Sequence, residues 1–215
     1  MNLMIAIAPA ILVLYYIYQK DILAKEPPGT LLKLFIWGAF LVIPASILEN
    51  SWYINPTGTD VIDYFMLSFF NVALIEEGLK YLVFIVFIWK GEKEFDEFFD
   101  GIVYAIFISL GFATIENIFY VTTFGTSTGI IRAITAIPLH AVCAVISGSY
   151  LSRAKFLNHA SVNLVKAFIY PILLHGLYNF ILFLNNPVMS TIVFPLLVIS
   201  YYRLGLKNIK MLSGK

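Results

Sequence analysis

Charge is scarce in this chain. Its 215 residues hold 14 Lys or Arg and 13 Asp or Glu, against 60% hydrophobic residues. So small a charged fraction cannot clothe a water-soluble surface, and the composition reads as an integral membrane protein. The net charge is +1 and the basic residues are scattered between apolar runs, which excludes the clustered basic face that nucleic-acid phosphates require. A single cysteine, Cys143, excludes an internal disulfide and reads as a small packed residue in an apolar segment. No basic residue precedes the first apolar run and no small-residue cleavage pattern follows it, so that run reads as a retained helix rather than a secretory leader. Repeats of fixed period, low-complexity tracts and an HExxH helix are also absent.

Long apolar runs are what the chain does have. They cover Leu3 to Tyr18, Leu31 to Leu48, Val61 to Trp89, Phe98 to Val121, Ile130 to Leu151, Leu164 to Leu184 and Val188 to Tyr202. Each approaches the ~20 residues of a bilayer crossing, and the third exceeds it, so that it must tilt or break. Between them lie polar connections: Lys20 to Pro28, Glu49 to Asp60 with turn signals at Asn55-Pro56 and Gly58, Lys90 to Asp96, Gly125 to Gly129, Arg153 to Asn163, and Asn185-Asn186-Pro187. The expected fold is all-α, a polytopic transmembrane bundle of about seven spans forming one domain over 1–215, with its motif-bearing core at about 61–185. Lys20, Lys25 and Lys33 flank the first connection, Lys90 and Lys93 the third, Arg153, Lys155 and Lys166 the fifth, and Arg203, Lys207, Lys210 and Lys215 the tail. Alternate loops are thus basic, which predicts an external N-terminus and a cytoplasmic C-terminus in a multi-pass protein of the cell membrane.

The third run is interrupted at NVALIEEGLKYLVF, where Glu76, Glu77 and Lys80 sit well inside the apolar stretch. Ionisable groups at membrane depth cost at least ~2.5 kcal/mol each on insertion scales and mark functional sites unless they are merely paired. At ~1.5 Å of rise per residue, Glu76 lies roughly 20 Å, Glu116 roughly 25 Å and His175 roughly 15 Å from the inner ends of their spans, and His140 about 15 Å from the outer end of its own. All reach the middle of the bilayer. In span four Gly101, Ala105, Ser109, Ala113 and Asn117 form a small-residue stripe bordered by Glu116, with Phe112 one turn before it. In span five Ala133, Ala136, His140, Ala144 and Ser147 share a face, and in span six Pro171, His175 and Asn179 do. A cavity lined by Glu76, Glu77, Glu116, His140, His175 and Asn179 is expected.

Such a set suits amide hydrolysis, which needs a base for water, donors for the oxyanion and a proton for the leaving amine. Glu76 is expected as base, Glu77 as its orienting partner, and Lys80 as the cation that favours ionisation of one carboxylate. His175 and Asn179 are expected as oxyanion donors, His140 as the group that polarises water or protonates the amine, and Glu116 as the holder of one histidine's tautomer. No cofactor is needed in this scheme. The alternative is zinc bound by Glu76 or Glu77 with Glu116, His140 and His175. A proton- or cation-coupled transporter is a rival function, although the internal repeat and paired broken helices of such proteins are missing, and an idle binding protein is another. Simpler readings apply elsewhere. Arg132 reads as an interfacial anchor, with a substrate-facing role open, and His159 as a solvated loop residue. Trp37, Trp52 and Trp89 read as belt and packing residues, and GEKEFDEFFD as a solvated turn with Asp96 or Asp100 near a helix start.

The segments IEEGLKY around Glu76, FDGIVYAIFISLGFATIENIFYV from Phe99 to Val121, IPLHAV around His140 and LLHGLYNF around His175 resemble the PrsW family of intramembrane proteases. That family belongs to the superfamily of CAAX prenyl endopeptidases and bacteriocin-processing proteins. The EExxK, FxxxE, membrane-embedded His and HxxxN elements occur in order over about Ile75 to Phe180, and place Lys80, Phe112, Asn117 and Asn179 beside the catalytic set. Much of the wider superfamily has histidine where Glu116 stands and arginine where Lys80 stands. The resemblance implies a metal-independent, glutamate-type peptidase that cuts a single-span membrane protein, in bacteria an anti-sigma factor.

Overall fold

The computed structural model describes residues 2–22, 24–52, 60–89, 91, 93 and 95–212, all regular elements among them being helical. Asn55-Pro56, Gly58, Lys90 and Lys215, singled out from the sequence, lie outside the described residues. Helices α1 (Asn2–Lys20), α2 (Pro28–Phe40) and α3 (Val42–Ser51) are followed by α4 (Val61–Met66) and α5 (Leu74–Phe84). Then come α6 (Asp100–Phe124), α7 (Thr126–Ile134), α8 (Ala136–Phe156), α9 (Ala160–Phe183) and α10 (Phe194–Leu212).

Proline decides where two of the spans bend. A proline clashes with the carbonyl four residues before it. Pro44 stands four residues after Phe40, where α2 ends, and Pro138 four after Ile134, where α7 ends. Each break is a single residue, Leu41 or Thr135, so α2–α3 and α7–α8 each remain one bent span. Pro28 opens α2 at a position where its missing N–H costs nothing.

Six stretches are long and apolar enough to cross a membrane: Leu3–Lys20, Pro28–Ser51, Asp100–Phe124, Thr126–Phe156, Ala160–Phe183 and Met189–Leu212. The remaining expected span, 61–89, is helical throughout and is set apart from these by Asp63, Glu76, Glu77 and Lys80. Its excess length does not break it. Two π-helical stretches, Leu67–Ala73 and Ile85–Trp89, absorb extra residues on either side of α5 by widening the turn. A third, Met189–Val193, precedes α10.

Several boundaries differ from the sequence-based expectation, and in each case helix replaces loop. Glu49 belongs to α3, the Gly125 to Gly129 loop contracts to Gly125, and the basic tail continues α10 to Leu212. Gly125, with φ of 87°, reverses the chain in one residue that a side chain would strain. His159 is exposed, as expected, and begins α9 with a left-handed backbone.

Helices α6 and α8 are buried along most of their length, while α1 and α10 turn most of theirs outward. The outward residues, among them Leu12, Phe40, Ile43, Ile131 and Leu196, are apolar, as a lipid-facing surface requires. The centre is fastened by glycine. A Cβ on Gly148 of α8 would fall on the Gly101 carbonyl of α6, and one on Gly38 of α2 would fall on that of Ile108. Without a hydrophobic force between helices in lipid, such close approach supplies the packing and is fixed by the backbone. Gly148→Ala is therefore expected to cost about 1–3 kcal/mol, read as a lower unfolding midpoint in detergent, because the obstructing atoms are main chain. Gly29→Ala, with nothing within 4 Å of the added carbon, is the neutral control.

Candidate active site

Helix α5 presents Glu76, Glu77 and Lys80, which the i, i+3 and i, i+4 spacings bring onto adjacent parts of one face. All three side chains are buried. Lys80 Nζ donates to Glu77 Oε1 at 2.8 Å and to Glu76 Oε2 at 3.3 Å. Its remaining proton reaches across to α8, where His140 Nδ1 lies 3.0 Å away. The ammonium stands 4.3 Å from the Phe112 ring centroid, so α6 contributes a π face beneath the charge.

The contact with Lys80 fixes His140. An ammonium has only protons to offer, so Nδ1 is the acceptor and the proton resides on Nε2. Nε2 then donates to Glu116 Oε2 at 3.0 Å. The His140 main-chain carbonyl accepts from Ser109 of α6, which anchors the backbone as well. Both ring nitrogens are thus engaged, so a neutral His140 has none left for water or a leaving amine.

His175 of α9 meets the other carboxylate. Its Nδ1 is 2.9 Å from Glu77 Oε1 and 4.0 Å from Glu76 Oε2, and its ring lies edge-on to His140 with centroids 5.1 Å apart. With Nδ1–H donating to Glu77, a neutral His175 keeps the Nε2 lone pair free. Gly176 next to it admits the Phe69 ring from the Leu67–Ala73 π stretch, bringing α9 against the helix that carries the glutamates.

A cavity of about 530 Å³ opens beside this cluster, lined by Glu76, Glu116, His140, His175, Asn179 and Arg132. Glu77 instead borders a void of about 20 Å³ together with Lys80. The adjacent glutamates therefore face different surroundings: Glu77 is enclosed between lysine and histidine, while Glu76 borders space large enough for water and peptide. Glu76, Glu77, Glu116, His140, His175, Lys80, Phe112 and Asn179 form one connected arrangement. Asn117 is one step removed, donating to the Ala6 carbonyl of α1 at 3.0 Å and accepting from Arg132 Nε at 3.0 Å.

Arg132 corrects the anchor reading. Instead of pointing outward it is folded over the Tyr120 ring, 3.8 Å from the centroid, with Nη2 3.0 Å from Glu116 Oε2. That contact is an ion pair by distance without hydrogen-bond alignment. The Thr135 break turns α7 so that Arg132 overhangs the cavity; Thr135 is held by the Tyr178 hydroxyl at 3.0 Å. Glu49 of α3 also lines the cavity. No sequence signal marked Glu49, which closes an apolar run; Arg132 stands near a span end like any interfacial cation, where the sequence leaves a substrate-facing role open beside the anchor reading.

A metal could draw on Glu76, Glu77, His140 and His175, each of which offers an atom within 4.8 Å of the others. Two imidazoles and two carboxylates fit zinc by donor chemistry. Glu116, expected from sequence as a zinc ligand, is outside this set, which holds both Glu76 and Glu77 where one of the two was expected. Lys80 Nζ is hydrogen-bonded to three of the four residues, so an incoming ion would compete with it for the same lone pairs.

A family profile described as PrsW family intramembrane metalloprotease matches residues 26–204. Protease PrsW of Oceanobacillus iheyensis is 42% identical over 206 residues, covering 94% of either chain. That of Clostridioides difficile is 38% identical over 189 residues, covering 85% of this chain and 79% of its own. That of Bacillus subtilis is 38% identical over 178 residues, covering 82% and 80%. No solved structure matches the chain significantly.

Removing one partner from a buried ion cluster strands the others, at a typical cost of about 3–5 kcal/mol. Lys80→Met is expected to lower the unfolding midpoint more than the triple change Glu76→Gln, Glu77→Gln, Lys80→Met, which leaves no stranded charge. A loss in the triple variant equal to the sum of the three single-variant losses would show that the three residues are energetically independent.

Proposed function

The chain belongs to the PrsW family of intramembrane proteases, a multi-pass membrane hydrolase, and from that premise we propose that it cuts a membrane-anchored regulatory protein with Glu76 as the base for water. The observation that carries this reading is the unequal placement of the glutamates: Glu76 lines the 530 Å³ cavity and Glu77 does not.

In the proposed reaction the Glu76 carboxylate takes a proton from a cavity water as it attacks the scissile carbonyl. The oxyanion forms within reach of Asn179 and of Arg132, whose Nη2 is not committed to an aligned hydrogen bond. His175, oriented through Nδ1 by Glu77, takes the water's proton from Glu76 onto its free Nε2 and passes it to the leaving amine, which returns both side chains to their starting protonation. His140 is a positioning residue joining Lys80 to Glu116, a narrower part than the water-polarising one expected from sequence. The cavity shares Ser46, Glu49, Val72 and Phe183 with a neighbouring hollow of about 500 Å³, and the two together offer room for an extended peptide. The substrate class we propose is a single-span anti-sigma factor, as the family resemblance implies. A transporter is no longer a competing reading, since the family is one of proteases.

A second reading is favoured by the profile's description as a metalloprotease and by the four clustered donors. Glu76, Glu77, His140 and His175 would hold a zinc ion, which supplies a water of lowered pKa and a Lewis acid for the carbonyl.

Protein reconstituted in liposomes with a single-span substrate provides the test. Glu76→Gln is expected to lower cleavage by about 10²–10⁴-fold, the usual contribution of a positioned base, while His159→Ala leaves it unchanged. Unaltered cleavage by Glu76→Gln would overturn both readings. Cleavage is expected to survive exhaustive chelation; loss that zinc restores would select the metal reading.

A further inference from the structure

A second acidic cluster lies where the α1–α2 connection meets the start of α6, built from residues outside the site described above. Asp21, Glu97 and Asp100 each offer a carboxylate oxygen within 4.8 Å of the others. Asp21 and Asp100 are 1% and 0% exposed, and Glu26 beside them is 3% exposed. One oxygen of each aspartate is spoken for: Asp21 Oδ2 accepts from the Glu26 amide at 3.2 Å, and Asp100 Oδ2 from the amides of Asp96 and Glu97 at 3.0 and 2.6 Å. The opposite oxygens, Asp21 Oδ1, Asp100 Oδ1 and Glu97 Oε2, are buried with no hydrogen-bond donor among the described residues other than the Glu26 carboxyl beside Asp100. Glu26 Oε2 accepts a hydrogen bond from the hydroxyl of Tyr104, itself completely buried.

Buried polar atoms in folded proteins are almost always satisfied, so several unsatisfied carboxylate oxygens in one place call for a cation. Lys25, the lysine whose field reaches Asp21, makes no ion pair with it among the described residues and donates to the Tyr18 carbonyl at 3.2 Å.

We propose that Asp21, Glu97 and Asp100, with Glu26 as neighbour, bind a hard divalent cation, Mg²⁺ or Ca²⁺, that ties the α1–α2 connection to the N-terminus of α6. The donors are all oxygen, without the imidazole or thiolate that would select zinc or copper, and carboxylate oxygens are what Mg²⁺ and Ca²⁺ take. This cation is separate in chemistry and position from any ion at Glu76, Glu77, His140 and His175.

The experiment uses the full chain in detergent, stripped with EDTA and dialysed against radioactive Ca²⁺, with Mg²⁺ as competitor. Retention of about one Ca²⁺ per chain, displaced by millimolar Mg²⁺, is expected for the native protein and for His140→Ala/His175→Ala. Asp21→Asn/Asp100→Asn should bind at least ~10-fold more weakly, as for loss of two carboxylate ligands. Glu97→Gln, a milder change at a partly exposed position, should weaken binding as well, and serves if the double variant does not fold. Thermal unfolding separates ligation from a structural role: the cation should raise the native midpoint, whereas Asp21→Asn should be no less stable than native protein without cation and gain nothing from it. No retention of either ion by the native protein at millimolar concentration would overturn the proposal, as would retention lost with the histidines but kept without the aspartates.

Discussion

One ammonium group organises the interior. Lys80 Nζ is held by two carboxylates of its own helix and a histidine of another, above an aromatic ring of a third. An isolated charge at this depth would be too costly to retain, and the cluster makes it tolerable only if every partner is present. The consequence spreads outward. Lys80 sets the tautomer of His140, His140 the bearing of Glu116, and Glu116 the fold of Arg132 over the cavity. Helices α5, α6, α7 and α8 thereby share one polar chain, to which His175 of α9 is added through Glu77.

Such a chain needs rigid supports, because hydrogen bonds fail within fractions of an ångström. The supports here are main-chain contacts at Gly101 and Gly148, and at Gly38 and Gly111, where α6 touches its neighbours without intervening side chains. Proline adds direction. By ending α7 at Ile134, Pro138 separates the helix that carries Arg132 from the one that carries His140 while keeping both in one span. Close packing and bending thus position the polar residues from opposite ends.

Much of this was legible in the sequence because lipid allows few exceptions. Charged residues inside apolar runs stand out against a background that excludes them, so Glu76, Glu77, Lys80, Glu116, His140 and His175 could be named and placed at a common depth. What depth cannot give is azimuth. That Glu76 faces the cavity and Glu77 does not depends on which way α5 is turned, and adjacent residues differ in that alone. Glu49 was hidden, and Arg132 reads first as an anchor, because both lie near span ends, where charge is ordinary. Helix ends were misjudged for a related reason: polar residues such as Lys207 and Lys210 signal departure from the membrane, yet a helix can continue into water with its hydrogen bonds intact. The small-residue stripe of span four included Gly101 and Ser109 but not Gly111, which packs against the Phe35 carbonyl on a different face.

The wide turns between Leu67 and Ala73 give the glutamate helix a further property. In hydrocarbon no loop can hold surplus backbone, since its amides would go unmet, and a broadened coil stores the surplus while keeping donors and acceptors matched. The angular setting of Glu76 relative to the Phe69 anchor is therefore a matter of residue count, as in a screw whose thread pitch changes partway along. Lengthening or shortening that stretch rotates the glutamate-bearing face without severing the rod, so an indel there changes which carboxylate faces the cavity without replacing the acids themselves.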